Sequence, residues 1–470
     1  MRHRPVTPTL TNPCATMAKR CRITFVACVA GVLIIGHPVS AQQRNGESAG
    51  PAPEADSAAS ARAAYRRAIA AYRQRDIATA RTEMRVAAQA WPTQQAYLEA
   101  AASLAAAARD TSDAAAWLDR LAALGVGPDL SADTTFGALV GAPVFDSAAA
   151  RLRRATAPVT TGRVRFTLAD TAFHPEGIAF DSRSRRWFLG SVRQRRIVTI
   201  GADGSARDFV APSSDDIAGV FGMTVDTTRR TLWVATTALP RMVPFTPANN
   251  GRAGAFAYDI DTGKLRRRVW LPRDSAAHTL GDVAVAPNGD VYASDSQSPW
   301  ILKVPPHGDT LQRFMTHPLF RSLQGMAIVP DGRTMYVADY SHGILRIDLV
   351  ARTATALRPG QRVTLLGVDG LYMRDGALLA VQNGVVPARV VRFCLDASRA
   401  LVERAHVLDR NPALADEPTL AAVVGDSVFY VATSQWEKFD DTGRRRPGST
   451  LKSVTVVGVR IPPAQDCRTQ

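Results

Sequence analysis

The chain has 470 residues, of which 46% are hydrophobic and 21% are charged, a composition typical of a globular protein with more than one domain. Its formal net charge is +15. The basic runs at 266–268 and 444–446 lie far apart, in different copies of the repeat described below, and have no interleaved aromatic residues. A nucleic-acid-binding protein would gather such residues on one face. The composition therefore argues against nucleic acid as a partner.

Residues 1–41 have the pattern of a signal peptide. Lys19 and Arg20 belong to a basic start, the run from Ile23 to Gly36 is apolar, and Val39-Ser40-Ala41 resembles a cleavage site. The apolar run is short for a membrane span. We therefore expect a periplasmic or secreted protein with no membrane span after cleavage; a retained N-terminal anchor is the alternative.

The segment that follows predicts a linker and then a helical domain. Residues 42–57 are rich in Ala, Pro, Gly and Glu, which is typical of a linker. Between residues 58 and 155 the apolar positions have helical spacing. Small residues, a turn aspartate and helix-ending prolines occur where tetratricopeptide repeats have them, namely at Ala68, Asp76, Ala80, Ala87 and Pro92 and again at Ala116, Ala123 and Pro128. This spacing predicts a short tetratricopeptide-like domain that recruits a protein partner; a plain Ala-rich helical hairpin is the alternative.

Six copies of one unit occupy residues 162–465. Each copy is a hydrophobic strand, a turn containing Gly or Asp, and a second apolar strand, as in GDVAVAPNGDVYASDS and QGMAIVPDGRTMYVADY. Equivalent points in consecutive copies are 45, 60, 43, 45 and 48 residues apart. These points are Glu176, Phe221, Gly281, Gln324, Asp369 and Glu417. A repeated all-β unit of this size predicts a mainly β fold, a six-bladed β-propeller preceded by the small all-α domain.

Lone strand patterns stand at both ends of the repeat region, at 164–170 and 454–461. Pairing of both strands in the last blade would close the ring and remove its free sheet edges. After the predicted cleavage the chain keeps two cysteines, Cys394 and Cys467. These either form a disulfide or remain separate thiols.

The equivalent points of the repeat precede the innermost strands, where the loops converge on the propeller axis. Glu176, Asp369 and Glu417, together with Gln324 and the neighbouring Asp282, therefore place carboxylates and an amide at one end of the channel. Crowded carboxylates lose solvation and repel one another, and an oxygen-liganded divalent cation such as Ca²⁺ relieves both effects. Ordered water, with the carboxylates capping local turns, is the alternative. Three further residues end second strands and are predicted to line the same funnel: Asp295, Asp339 and Asn383.

Tryptophans recur near the second strands or in the loops after them, at Trp187, Trp233, Trp300 and Trp436. Packing between blades explains this recurrence better than ligand stacking. The propeller region contains no G-x-S-x-G, H-E-x-x-H or G-x-G-x-x-G motif. A serine nucleophile, a zinc-binding helix and a dinucleotide are therefore not indicated.

The propeller region, about two-thirds of the chain, resembles the senescence marker protein/gluconolactonase family, which includes regucalcin. The resemblance rests on PEG at 175–177, DVAVAPNGDVYASDS at 282–296, VADYSHGILRIDL at 337–349 and GVDGL at 367–371. Members of this family hold a divalent cation with a Glu, an Asn and an Asp from the first, fourth and fifth blades. The resemblance implies a divalent cation, Ca²⁺ or a relative, held by Glu176, Gln324 and Asp369, with Asp369 also acting as the catalytic base.

The chain departs from the family pattern at three channel positions. Gln324 stands where Asn is usual, Gly281 stands where the family often offers Asn, and Phe221 narrows the channel. The resemblance implies an exported metal-dependent hydrolase that binds a small lactone or ester in the channel. The alternative is a non-catalytic propeller that binds a ligand or a protein and uses the helical domain for docking.

Overall fold

A computed structural model describes residues 53–131, 133–201, 204–463 and 467. The predicted signal peptide and most of the predicted linker lie outside these residues. The described chain contains two compact units. The first unit includes the chain up to Trp91, Ala96–Trp117 and Leu130–Asp146, and the second includes Pro92–Gln95, Leu118–Asp129 and the chain from Ser147 onward.

The N-terminal part of the described chain is helical, as its high alanine content favours. Its helices are α1 (Pro53–Arg73), α2 (Ile77–Ala90), α3 (Gln95–Ala107), α4 (Thr111–Leu124) and α5 (Pro143–Ala155), with a 3₁₀ helix at Thr134–Leu139. Helix α1 packs against α2, and Asp76 caps α2 by accepting a hydrogen bond from Thr79 N at 3.0 Å. Helix α1 begins inside the segment predicted to be a linker. Among the described residues, no helix has the length and apolar character required to cross a bilayer.

The remaining described residues form six antiparallel sheets, one of which includes a short parallel strand at its edge. The chain begins this part with β1 (Arg163–Leu168). The first three sheets contain β2 (Pro175–Asp181), β3 (Arg186–Ser191), β4 (Arg196–Ile200) and β5 (Ala206–Val210); β6 (Gly219–Asp226), β7 (Thr231–Thr237), β8 (Ala253–Asp259) and β9 (Leu265–Trp270); and β10 (Leu280–Val285), β11 (Val291–Asp295), β12 (Trp300–Val304) and β13 (Gln312–Thr316).

The other three sheets follow the same order along the chain. They contain β14 (Leu323–Ile328), β15 (Thr334–Asp339), β16 (Gly343–Asp348) and β17 (Thr353–Ala356); the edge strand β18 (Arg358–Pro359) with β19 (Val368–Arg374), β20 (Ala377–Gln382), β21 (Arg389–Leu395) and β22 (Leu401–Asp409); and β23 (Ala421–Val424), β24 (Ser427–Val431) and β25 (Val454–Arg460). The innermost strands β2, β6, β10, β14, β19 and β23 contact one another in that order, and β23 contacts β2. This closed ring confirms the predicted six-bladed propeller.

The last blade takes strands from both ends of the propeller. Strand β1 pairs antiparallel with β25, with Phe166 opposite Val456, and β25 pairs with β24. The predicted closure of the ring is therefore confirmed. Beyond β25, Cys467 forms a disulfide with Cys394 in β21, with a Cα–Cα distance of 5.5 Å, so the structure selects the paired state from the two alternatives.

The hydrophobic core of the propeller lies in layers between neighbouring blades. In β2, Ile178 packs into the layer shared with the last blade, whereas the next residue, Ala179, packs into the layer shared with the second blade. Successive side chains of a strand point to opposite faces. A strand buried on both faces therefore fills two layers, which explains why the inner strands are apolar at nearly every position.

Candidate active site at the channel mouth

The inner strands approach each other closely at the points where they begin. A Cβ atom at Gly177 would lie 2.0 Å from Phe221 O, and one at Gly222 would lie 2.6 Å from Asp282 Cα. Only glycine permits such an approach of one backbone to the next. The channel is consequently narrow here, and the side chains that flank these glycines face one another.

Glu176 is the buried carboxylate of the first blade, with 7% of its surface exposed. Its Oε2 accepts a hydrogen bond from Trp436 Nε1 at 2.6 Å. Burial raises the pKa of Glu176 well above its usual range, and the nearby charges of Asp369 and Glu417 raise it further. Glu176 therefore lies close enough to Asp369 for the two carboxylates to affect each other's ionisation.

Asp369, in the fifth blade, is held by the amide of Asn383. Asn383 Nδ2 donates to Asp369 Oδ2 at 2.7 Å and to Pro418 O at 2.9 Å. These two bonds use the amide nitrogen, and Asn383 Oδ1 is buried without a hydrogen-bond partner. Burial raises the pKa of the Asp369 carboxyl above its usual value. The pair therefore offers carboxylate and amide oxygens side by side.

Asp282 joins the third blade to the fourth. Its Oδ2 accepts from Met326 N at 3.0 Å and its Oδ1 accepts from Val283 N at 2.8 Å. Burial, with a contribution from the charge of Asp369, raises the pKa of Asp282 to about 7. The structure thus places Asp282 within the electrostatic reach of Asp369 but gives it a bracing contact to the next inner strand.

Tyr372 is a member of this group that sequence reasoning missed. Its hydroxyl accepts a hydrogen bond from Ala421 N at 2.6 Å. Burial raises the pKa of Tyr372 well above 10, and the charges of Asp282, Asp369 and Glu176 add to the shift. The hydroxyl therefore keeps its proton close to three carboxylates. A tyrosine on β19, three residues after the mouth residue Asp369, was the sequence feature that could have indicated it.

Gln324 and Glu417 occupy the predicted mouth positions of the fourth and sixth blades. Gln324 Nε2 lies 3.4 Å from Ser322 Oγ, and its Oε1 would lie 3.0 Å from a Cβ atom at Gly281. Glu417 Oε2 accepts from Glu437 N at 3.2 Å, and burial raises its pKa to about 7. The contacts of Gln324 thus lie on the side of the third blade, whereas Glu417 lies beside Glu176.

Asp295 and Asp339 have no exposed surface. Asp295 Oδ1 accepts hydrogen bonds from the backbone of Thr279 and Ser298, each at 3.1 Å. Asp339 Oδ2 accepts from Ser322 N at 2.9 Å. Backbone N–H groups of a buried loop need acceptors, and these carboxylates supply them. Asp295 and Asp339 therefore stabilise loops, which differs from the channel-lining role predicted for them. Asn383, which was predicted together with them, does contact Asp369.

The oxygen atoms in the channel determine which metal ion would fit. Within the described part of the chain, no group of three His, Cys, Asp or Glu side chains is arranged to hold a metal ion. The donors that do come together are the carboxylates of Glu176 and Asp369 and the unpartnered Oδ1 of Asn383. Ca²⁺ accepts carboxylate, amide and water oxygens together, whereas zinc sites use thiolates and imidazoles. The set therefore fits a hard cation that keeps water ligands.

No family model and no curated protein matches the chain. Solved structures that match it include a gluconolactonase from Xanthomonas campestris, with 18% identity over 65% of this chain and 91% of that chain and a TM-score of 0.42. A calcium-binding regucalcin from Agrobacterium tumefaciens matches with 16% identity over 64% and 96% of the two chains and a TM-score of 0.42. Virginiamycin B lyase from Staphylococcus aureus matches with 15% identity over 57% and 81% and a TM-score of 0.40. Likeness at this level carries no argument about activity, and the propeller fold is established by this chain's own strand pairing.

Proposed function

We propose that the protein is a cation-dependent hydrolase that cleaves a lactone or a similar ester in the propeller channel. The observation that carries the proposal is the convergence of buried Glu176 and half-buried Asp369 beside an amide oxygen of Asn383 that has no protein partner. Two buried like charges without a cation are costly. A divalent cation bound by these oxygens would remove that cost.

The chain's own groups support a division of roles. Glu176, Asp369 and Asn383 would hold the cation, and Gln324 is the further ligand that the sequence predicts. When bound, a divalent cation polarises an ester carbonyl and stabilises the charge that develops on its oxygen. Asp369 Oδ2 is held by Asn383, which leaves Oδ1 to accept a proton from the attacking water. That water adds to the carbonyl carbon, the ester C–O bond breaks, and the proton ends on the alcohol that leaves.

Cation binding is tested by thermal unfolding. A cation that binds only the folded state stabilises it by RT ln(1 + [L]/Kd), about 2.7 kcal/mol at a hundredfold excess over Kd. Ca²⁺ should therefore raise the Tm of the wild-type chain, and Asp369→Asn should lose most of this rise. Asp375→Asn, at an exposed position in the same blade, is the matched control and should keep it. An equal rise in both variants would place the cation elsewhere.

Hydrolysis is tested on a panel of lactones and esters with and without a chelator. Turnover should require the cation and should be lost in Glu176→Gln and Asp369→Asn. If Asp369 is the base, its substitution should lower kcat far more than it changes KM. Clear cation binding without turnover of any substrate would reject the hydrolase and favour a ligand-binding propeller.

We further propose that the protein acts outside the reducing cytoplasm after loss of the predicted signal peptide. The disulfide between Cys394 and Cys467 supports this, because such bonds persist mainly in oxidising compartments. N-terminal sequencing of the native protein should give a chain that begins at Gln42. A chain that begins at Met1 or Met17 in a membrane fraction would contradict the proposal.

For the helices we propose a tetratricopeptide-like arrangement that binds a protein partner. The buried state of Ala68, Ala80 and Ala87 supports this arrangement, because small residues let helices approach closely. Ala87→Leu should therefore lower the stability of the helical unit, whereas Ala78→Leu, at an exposed position of α2, should not. Equal stability of the two variants, measured by helical circular dichroism on heating, would contradict the proposed close packing of the helices.

A further inference from the structure

Two long loops distinguish the second and sixth blades. The connection from β7 to β8 spans residues 238–252 and that from β24 to β25 spans 432–453, whereas the corresponding connections in the first, third and fourth blades are short turns. The second strand of each of these blades runs antiparallel to the first, so it ends where the inner strands begin. Both loops therefore lie at the channel end that carries Glu176.

The two loops meet beside the first blade, which separates their own blades in the ring. A Cβ atom at Gly443 would lie 2.0 Å from Pro240 O, so the two backbones are in direct contact. Arg193, in a turn of the first blade, donates through Nη1 to Arg241 O at 3.2 Å and to Gly443 O at 3.3 Å. One guanidinium thus ties together both loops and the first blade.

The backbone on both sides of Trp436 is fixed. Gln435 is fully buried and has a φ of 72°, a left-handed conformation that is uncommon for a residue with a side chain. Its side chain accepts from Lys452 N at 2.7 Å and donates to Thr171 O at 3.2 Å. On the other side, Glu437 N donates to Glu417 Oε2. Trp436 therefore has little backbone freedom.

The indole ring of Trp436 is also held by its neighbours. The guanidinium carbon of Arg241 lies 4.9 Å from the ring centroid, in the range of a cation–π contact. The ring of His174 meets it edge-on at 4.7 Å, and the ring of Phe221 lies at 6.0 Å. These contacts hold the ring plane, and with it the direction of the indole N–H.

That N–H points at Glu176, with Nε1 2.6 Å from Oε2. When a bound cation keeps Glu176 ionised, a hydrogen bond to the carboxylate is short and strong, and it holds one oxygen of the carboxylate. We propose that Trp436 is a positioning residue for Glu176, holding Oε2 so that Oε1 is directed to the ligand. This inference rests on the proposed function. Loss of such an orienting donor typically weakens metal affinity about 10- to 100-fold.

Calorimetric titration with Ca²⁺ tests the inference. Trp436→Phe keeps an aromatic ring but removes the donor, and it should weaken Ca²⁺ binding about tenfold or more. Trp300→Phe is the matched control, because Trp300 is also half-buried under an arginine, with Arg313 at 3.4 Å, and packs against His278 instead of Glu176. The control should bind Ca²⁺ like the wild type. Unchanged affinity in Trp436→Phe would overturn the inference and leave the proposed function standing.

The hydrogen bond itself is tested without metal by the indole N–H signals of ¹⁵N-labelled protein. Glu176→Gln replaces the carboxyl acceptor by an amide, so the Trp436 signal should shift while the Trp300 signal stays in place. This measurement decides the inference if Trp436→Phe does not fold, and also if the wild type binds no Ca²⁺ and the proposed function fails. An unmoved Trp436 signal would overturn it in either case.

Discussion

The carboxylates at the channel mouth have different tasks, which their hydrogen bonds reveal. Asp282 accepts two backbone N–H groups, one of them from the next blade, whereas Asp369 accepts only from a side-chain amide that itself has an unused oxygen. Backbone donors cannot move away when a ligand arrives. Asp282 is therefore suited to bracing and Asp369 to binding.

Asp282 predicts a pH dependence of stability when no cation is present. Its pKa is raised from 3.8 to about 7 by burial, so the folded chain binds this proton more tightly than the unfolded chain. The resulting stability is complete below about pH 4 and is lost as the pH rises through about 7, with about 1.4 kcal/mol for each unit of pKa shift. Urea unfolding with a chelator should therefore give a free energy of unfolding that falls over this interval.

The Asp282→Asn variant is the control for this pH dependence. It should be less stable at low pH, because one backbone donor loses its acceptor, and its stability should fall less steeply with pH. Some slope should remain, because the pKa of Glu417 is also raised to about 7. Equal slopes in the variant and the wild type would show that Asp282 does not titrate in this range.

Side-chain roles were less predictable than strand positions. The alternation of apolar residues predicts hairpins, and the repeat identifies equivalent points such as Glu176 and Asp369. Trp436 was interpreted as packing between blades, because tryptophans recur at similar places in three other copies. Asp295 and Asp339 were predicted to line the channel, whereas they accept hydrogen bonds from backbone N–H groups of loops. A sequence pattern does not show which N–H groups of a loop need such an acceptor. The unusual length of 432–453 was the available signal for a special loop.

At the level of the strands, backbone-to-backbone contact sets the width of the channel. Glycine follows the mouth residue in four of the six copies, at 177, 222, 325 and 370. At Gly177 the next inner strand comes so close that no Cβ atom fits. The third copy has Asp282 instead, and its side chain fills the space beside Gly222 and reaches the fourth blade.

Gly177→Ala should destabilise the propeller strongly. Its Cβ atom would lie 2.0 Å from Phe221 O, and relief requires movement of a whole inner strand, so we expect a loss of about 3 kcal/mol or more. Gly376→Ala is the control, with a φ of 76° and no atom within 4 Å of the new Cβ. Its free energy of unfolding should fall by only about 1–2 kcal/mol, the cost of placing a residue with a side chain in the left-handed conformation. Equal losses in urea unfolding would show that the inner strands separate easily.

For the molecule as a whole, the ring depends on a strand that comes from before the first blade. Strand β1 completes the sheet of β23, β24 and β25, so the last blade has strands from both ends of the propeller. The two lone strand patterns predicted this closure, because unpaired strands at both ends of a repeat array leave two edges that can cover each other. No repeat period could have predicted the disulfide pairing.

A chain that ends at Arg444 lacks β25, which leaves β1 without a partner and exposes the edge of β24 that β25 covers. Its whole propeller should melt cooperatively at a lower temperature, because both edges of the ring open together. A chain that ends at Pro463 keeps β25 but loses Cys467, with its disulfide and the hydrogen bond from Arg404 to Cys467 O. It should melt at a higher temperature than the shorter chain. Calorimetry that gives both truncated chains the same Tm would contradict the role of β25.

The short turn at Trp436–Lys438 has a consequence for the symmetry of the ring. Glu176 and Glu417 stand at equivalent points of two neighbouring copies, and a perfect sixfold repeat would make them chemically identical. The turn contacts both, but it meets Glu176 with an indole N–H and Glu417 with a backbone N–H. One unrepeated loop thereby gives two identical residues different environments. The repeated strands build the frame of this propeller, and the one loop that is not repeated makes the chemical environment around its channel asymmetric.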